Sequence, residues 1–99
     1  NSPVTISSTL TLVAALYDEM RGRVLVMMHD SSNAYRSEGT FDNDGVVTFS
    51  TAATVTVPSG GVPTGQGDMY WANNAAQLVV RTAGGVKHFT SVDFGKTWT

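Results

Sequence analysis

Leu12-Val13-Ala14-Ala15-Leu16-Tyr17-Asp18-Glu19-Met20-Arg21 is the stretch whose reading decides the fold. As a helix, it repeats Leu12, Leu16 and Met20 every four residues, with Thr11 as a cap and Gly22 as a stop. As a strand, it continues an alternation in which Val4, Ile6, Leu10, Leu12, Ala14 and Leu16 occupy even positions. Thr5, Ser7, Thr9 and Thr11 lie between them, and a period of two marks a strand with one buried face. A helix would also place Asp18 and Glu19 in its last turn, where the macrodipole disfavours anions. The strand is the preferred reading. It makes the chain all-β, whereas a helix over Leu12–Arg21 would make it α+β.

Working outward, Arg23–His29 is apolar on both faces, the pattern of a central strand covered twice. Asp18–Gly22 is then the turn between two antiparallel strands, and Asp30–Asn33 a loop of residues that bond their own backbone. Asp42-Asn43-Asp44-Gly45 separates Ser37–Phe41 from Val46–Ser50, and Asp44-Gly45 suits a two-residue hairpin turn. Val46–Val57 reads as a strand broken near Ala52-Ala53. Pro58–Gly67, with two prolines and four glycines, reads as a linker.

Beyond it, Asp68–Trp71 and Ala76–Thr82 are joined around Asn73-Asn74, and Val86–Phe94 follows across Ala83-Gly84-Gly85. Such a meander is too small to be stable alone, so it must pack on the first part or on neighbouring subunits. The expected organisation is a β domain over residues 1–57, a linker over 58–67 and a meander over 68–99. The fold class is a small antiparallel β-sandwich or barrel-like domain plus a C-terminal β-meander.

Composition narrows function by exclusion. The 99 residues carry 6 Lys+Arg against 8 Asp+Glu, a net charge of −2 that does not suit nucleic-acid binding. No Cys is present, which excludes a disulfide framework and Cys-ligated zinc. No run approaches the ~20 apolar residues of a membrane-spanning helix. The opening Asn1-Ser2-Pro3, without Met, a basic n-region or a cleavage-site pattern, reads as a processed or excised chain.

Motifs for chemistry are equally sparse. A calcium-loop frame over Thr40–Thr51 fails, because Thr stands at its first and twelfth positions, where Asp and Glu are needed. His29, Asp30 and His88 have no nucleophile elbow or zinc motif beside them. The Gly-rich stretch lacks the Gly-Lys-Ser/Thr ending of a phosphate loop. No catalytic residue, metal ligand or cofactor site is expected, and the chain reads as non-enzymatic.

The residues with binding potential are Tyr70, Trp71, Asn73, Asn74 and Trp98. Exposed aromatics make platforms for sugar rings, and the Asn pair offers amides beside them. The competing and favoured reading is packing. Met69 and Trp71 then share a buried face with Tyr70 at a rim, and Trp98 packs only if the tail docks back or a partner covers it.

Gly67-Asp68-Met69-Tyr70-Trp71, then Asn73-Asn74, then Leu78-Val79-Val80 resembles a motif of tailed-bacteriophage virion proteins. There it reads Gly-x-Met-Tyr-aromatic, a polar turn and Leu-x-Val, often after a Pro/Gly-rich arm, in tail fibres, head fibres and related appendages. The resemblance covers about Val62–Phe94, and departs where Lys87-His88-Phe89 stands in place of a closing Trp. It implies a β-hairpin unit, a homo-oligomer with a trimer favoured, other virion proteins as partners and a place on the extracellular particle surface. The expected function is a structural virion component, capsid decoration or fibre subunit. The alternative is a module that recognises a host surface glycan or receptor through Tyr70, Trp71, Asn73 and Asn74.

Overall fold

The structure, a computed structural model, describes residues 6–99, so Val4 and Thr5 of the expected first strand lie outside the described residues. Strand β1, Thr11–Asp18, pairs antiparallel with β2, Arg23–His29, along its whole length. The ambiguous segment is therefore strand. β2 pairs with β3, Ala34–Phe41, and both β4, Val47–Phe49, and β5, Ala53–Thr54, pair with β3. A second antiparallel sheet runs in the order β6, Pro63–Ala72, β7, Ala75–Thr82, and β8, Gly85–Ser91. The chain is all-β in two sheets, with no helix among the described residues.

Four local expectations are corrected. In β1 a bulge inserts Val13 between the Leu12–Met28 and Ala14–Met27 pairs, so the even-numbered face changes sides there. Val13 and Ala14 are both buried, while Leu12 turns outward and is 48% exposed. The β3–β4 hairpin is not a two-residue Asp44-Gly45 turn. Its loop is held by the Asp42 Oδ1 atom, which accepts from the N–H groups of Asp44 and Val46 at 2.9 Å each.

The expected linker is only half a linker, because Pro63–Gly67 forms the first part of β6. Gly67 lies so close to β7 that a Cβ would collide with the Val79 carbonyl and the Val80 side chain, so this glycine serves packing. The last strand also ends early, at Ser91. Phe94 leaves the strand with φ of 56°, a conformation rare for a non-glycine residue.

One core serves both sheets. Ala14, Leu25 and Met27 of the first face Ala76, Leu78 and Val80 of the second, with Phe89, Phe94 and Trp98 closing the space. The meander packs on the first part of the chain rather than standing apart.

The tail fixes this arrangement. The Trp98 N–H donates to the Thr56 carbonyl at 2.8 Å, and Thr99 exchanges backbone hydrogen bonds with Thr90 at 2.9 and 3.0 Å. The last residues thus tie the β5 side of one sheet to β8 of the other, with the Trp98 side chain 1% exposed between them. Trp98→Ala is expected to cost roughly 3–5 kcal/mol, a large fraction of the ~5–15 kcal/mol typical of a domain. Urea unfolding followed by circular dichroism checks this, and one cooperative transition is expected for both sheets.

Candidate functional site

The five residues singled out from sequence do not form one site. Asn73 and Asn74 make the tight turn between β6 and β7, with φ of 56° and 61°, beyond the closing Ala72–Ala75 pair. Two successive positive φ values are what a two-residue turn between twisted strands needs, and Asn tolerates them. Trp98 is a core residue, so its assignment as an interface or glycan contact is corrected. Its burial follows from the backbone bonds that draw the tail between the sheets.

Trp71 points inward, packs against the core and stacks on Phe94 with centroids 6.1 Å apart and planes at 27°. The Arg23 guanidinium lies 3.7 Å from the Phe94 ring centroid. Arg36 Nε donates to the Phe94 carbonyl at 3.1 Å, which holds the unusual backbone of that residue in place. The Trp71 indole nitrogen is itself buried, so no ligand reaches it in this conformation. Trp71 is first a packing residue.

Trp71, Asn73 and Asn74 do line an open cleft of about 560 Å³ between the β6–β7 turn and the β1–β2 turn. Tyr17, Asp18, Met20 and Arg21 form its other wall. Asp18, expected in the turn, ends β1 instead, and its carboxylate is buried and bonds Arg21 Nη1 at 3.1 Å and Arg23 Nε at 3.4 Å. Desolvation pushes the Asp18 carboxyl up, but the Arg21 and Arg23 hydrogen bonds outweigh it and leave the group below its ordinary value.

Tyr70 projects the other way, onto the outer face of the second sheet, and is 45% exposed. Its cross-strand partner Gln77 is buried, accepting from Thr90 Oγ1 and meeting His88 Nε2, both at 2.8 Å, and donating to the Ala72 carbonyl at 3.0 Å. This fixed amide beside an exposed phenol is a polar platform that sequence reading placed only through Tyr70. Alternating residues 77, 88 and 90 carried the remaining signal, legible only once strand register is known.

The outer face of the first sheet is different in kind. Residues opposite one another in a ladder share a face, so Tyr17, Val24, Gly39 and Phe49 form one row across four strands. Leu12, Met28 and Tyr35 form another, and Ala15, Val26 and Ser37 lie between the two. Tyr17 and Phe41 meet edge to face at 6.0 Å and are 52% and 45% exposed. The ladder positions of this face hold no charged residue, but Val26, Met28 and Ser37 are buried and Asp30 Oδ2 accepts from the Tyr35 hydroxyl at 2.7 Å. Arg23, Arg36 and Glu38 instead point to the inner side, joined by ion pairs at 2.9 and 3.7 Å.

Elsewhere, Asp93 organises the turn before the tail. Its Oδ1 accepts from the Ser91 hydroxyl at 2.8 Å and the Thr97 N–H at 2.9 Å, while Ser91 Oγ accepts from the Gly95 N–H at 2.8 Å. The spacing Ser91, Asp93, Gly95, Thr97, Trp98 was the missed signal that the tail folds back. Among the described residues no cluster of three metal-ligating side chains occurs. Comparison with protein-family models, curated proteins and solved structures finds no significant match.

These carboxylates give the fold an acid limit. Burial pushes Asp93 up and its hydrogen bonds pull it net below 3.8, while the Tyr35 hydroxyl and the Ser32 and Asn33 N–H groups lower Asp30. A carboxyl lowered in the folded state stabilises it above the unfolded value, and that contribution disappears as pH falls through the folded value. Melting temperature is expected to hold down to about pH 4 and then drop. Asp93→Asn lowers it at neutral pH and flattens the acid drop, which thermal melts across the pH series will show.

Proposed function

We propose that this chain is a structural, non-enzymatic component of a tailed-phage particle, a capsid-decoration or fibre subunit that acts by packing against other chains. The observation that carries the reading is the set of large apolar side chains on the outer face of the first sheet, with Leu12, Tyr17 and Phe41 each about half exposed. An antiparallel sheet that faces water on one side normally alternates apolar-in and polar-out. Here β3 is inverted, with Arg36 and Glu38 inward and Tyr35 and Phe41 outward. Several large apolar side chains exposed on one face mark an interaction site.

The resemblance of Gly67–Val80 to phage appendage hairpins supports the particle context, and these residues form one hairpin here. Trp98 and the paired sheets close the core within one chain. The homo-oligomer therefore rests on the outer surface.

A second reading, recognition of a bacterial surface glycan, is favoured by Tyr70 beside the fixed Gln77 amide. An exposed ring flanked by hydrogen-bonding groups suits a sugar face. The contact set is then Tyr70, Gln77 and His88 rather than Trp71.

Antibody against the chain is expected to label intact phage particles in negative stain, and its absence from particles would overturn the leading reading. The two aromatics separate the second reading. Tyr70→Ala abolishes retention on a bacterial-glycan array under that reading and leaves melting nearly unchanged. Trp71→Ala lowers stability by roughly 3–5 kcal/mol under either, because its packed ring is lost.

A further inference from the structure

We infer that the free edge of β8 takes up an extended, acidic segment of another protein as an added strand. This concerns the second sheet and does not rest on the assembly reading above.

The tail shows which backbone groups of β8 are open. Thr90 and Thr99 exchange both of their backbone hydrogen bonds, so the Thr90 N–H and carbonyl point away from β7. In an antiparallel strand such outward groups fall on every second residue. The β7–β8 register runs without a shift from Ala76–Ser91 to Thr82–Gly85, so Val86 and His88 share the parity of Thr90. Their N–H and carbonyl groups also point outward, and they have no backbone partner among the described residues.

Gly85, Val86, Lys87 and His88 are all exposed, whereas the opposite edge of this sheet, β6, lies beside β1. Open backbone groups in line along an edge are a template for strand addition. Thr99 already uses this edge in that way, one pair further along.

Charge selects the occupant. β7, β8 and the turn between them carry Arg81, Lys87 and His88 and no Asp or Glu, in a chain whose net charge is −2. The one acid of this sheet, Asp68, stands on β6, two strands from the edge.

In the register that Thr99 sets, an added strand exchanges hydrogen bonds with His88 and Val86, and its residue between them stands opposite Lys87. That position is a non-hydrogen-bonded pair, with Cα atoms about 4.5 Å apart and side chains close. Asp or Glu there meets the Lys87 ammonium. A second copy pairing on the same groups across a two-fold sets Lys87 against Lys87, and like charges directly opposite are destabilising. A lysine on an open edge guards against self-association, and the same charge is what an acidic strand satisfies.

Residue-resolved amide exchange by NMR on the unmodified chain tests this, with the peptide Ser-Thr-Thr-Glu-Val-Thr-Ser as probe. Without peptide, the Val86 and His88 amides are expected to exchange at least ~10-fold faster than those of Lys87 and Phe89, which bond β7. Peptide at ten times its dissociation constant is expected to slow Val86 and His88 by about 10-fold. Replacing Glu by Lys in the peptide is expected to weaken binding about 5-fold, and Lys87→Glu to reverse that preference. A reversal of this kind is not produced by a general loss of stability.

Equal affinity for the two peptides overturns the acidic occupant. Slowing of Val86 and His88 with protein concentration alone, together with twice the 10.5 kDa mass in light scattering, overturns it in favour of a second copy. No slowing at millimolar peptide overturns the edge as a site.

Discussion

The docking of the C-terminal tail between the two sheets is the constraint on which the rest depends. The two sheets, one of three strands and one of five, share a single core. Trp98 fills the space between them, and its strand bonds to Thr56 on one side while Thr99 bonds to Thr90 on the other. The turn that aims this strand has its own polar support. Asp93 ties Ser91 to Thr97, and Arg36 holds the Phe94 carbonyl. Phe94 in its rare conformation can then lie between Trp71 and Arg23. Two sheets, one tail and one turn make a single unit.

That arrangement explains why the aromatic residues divide as they do. On β6 the strand period sends Met69 and Trp71 towards Phe94 and the core, and Tyr70 outward. Proximity in sequence therefore says little about a shared site here. The cleft that Trp71 and the Asn pair border has its other wall in the β1–β2 turn, more than fifty positions earlier in the chain. Of its two acidic members, Asp18 is already committed to Arg21 and Arg23 and Glu19 is exposed, so the cleft wall presents no free buried carboxylate.

Much of the fold was legible because it rests on local pattern. The alternation before Asp18, the apolar run at Arg23–His29 and the Asn73-Asn74 turn all report backbone geometry directly. What was not legible depends on contacts distant in sequence. The bulge at Val13 answers to packing against β2, and it reversed the sense of Leu12 without breaking the apolar count. Pro63–Gly67 looked like a linker because Pro and Gly disfavour strands on average. At an edge strand, though, Pro is tolerated and Gly permits close approach to β7. Of the candidate site, Tyr70 and the turn were legible individually, but Gln77, His88 and Thr90 join only through cross-strand register.

The low charge of the chain takes on meaning from where the charges lie. Inner-side Arg23, Arg36 and Glu38 sit beside the Phe94 turn, where each guanidinium has a carbonyl, a carboxylate or a ring to meet. These contacts fix one sheet against the tail, so the charged residues of β3 face inward. The consequence is forced by the period of two. If alternate positions of β3 must reach the turn, the intervening Tyr35, Ser37, Gly39 and Phe41 must lie on the outer face. The apolar exterior of this sheet is thus coupled to the polar joint inside it. Reversing one by a one-residue register slip would also destroy the other, which makes the outer face as firmly specified as the core.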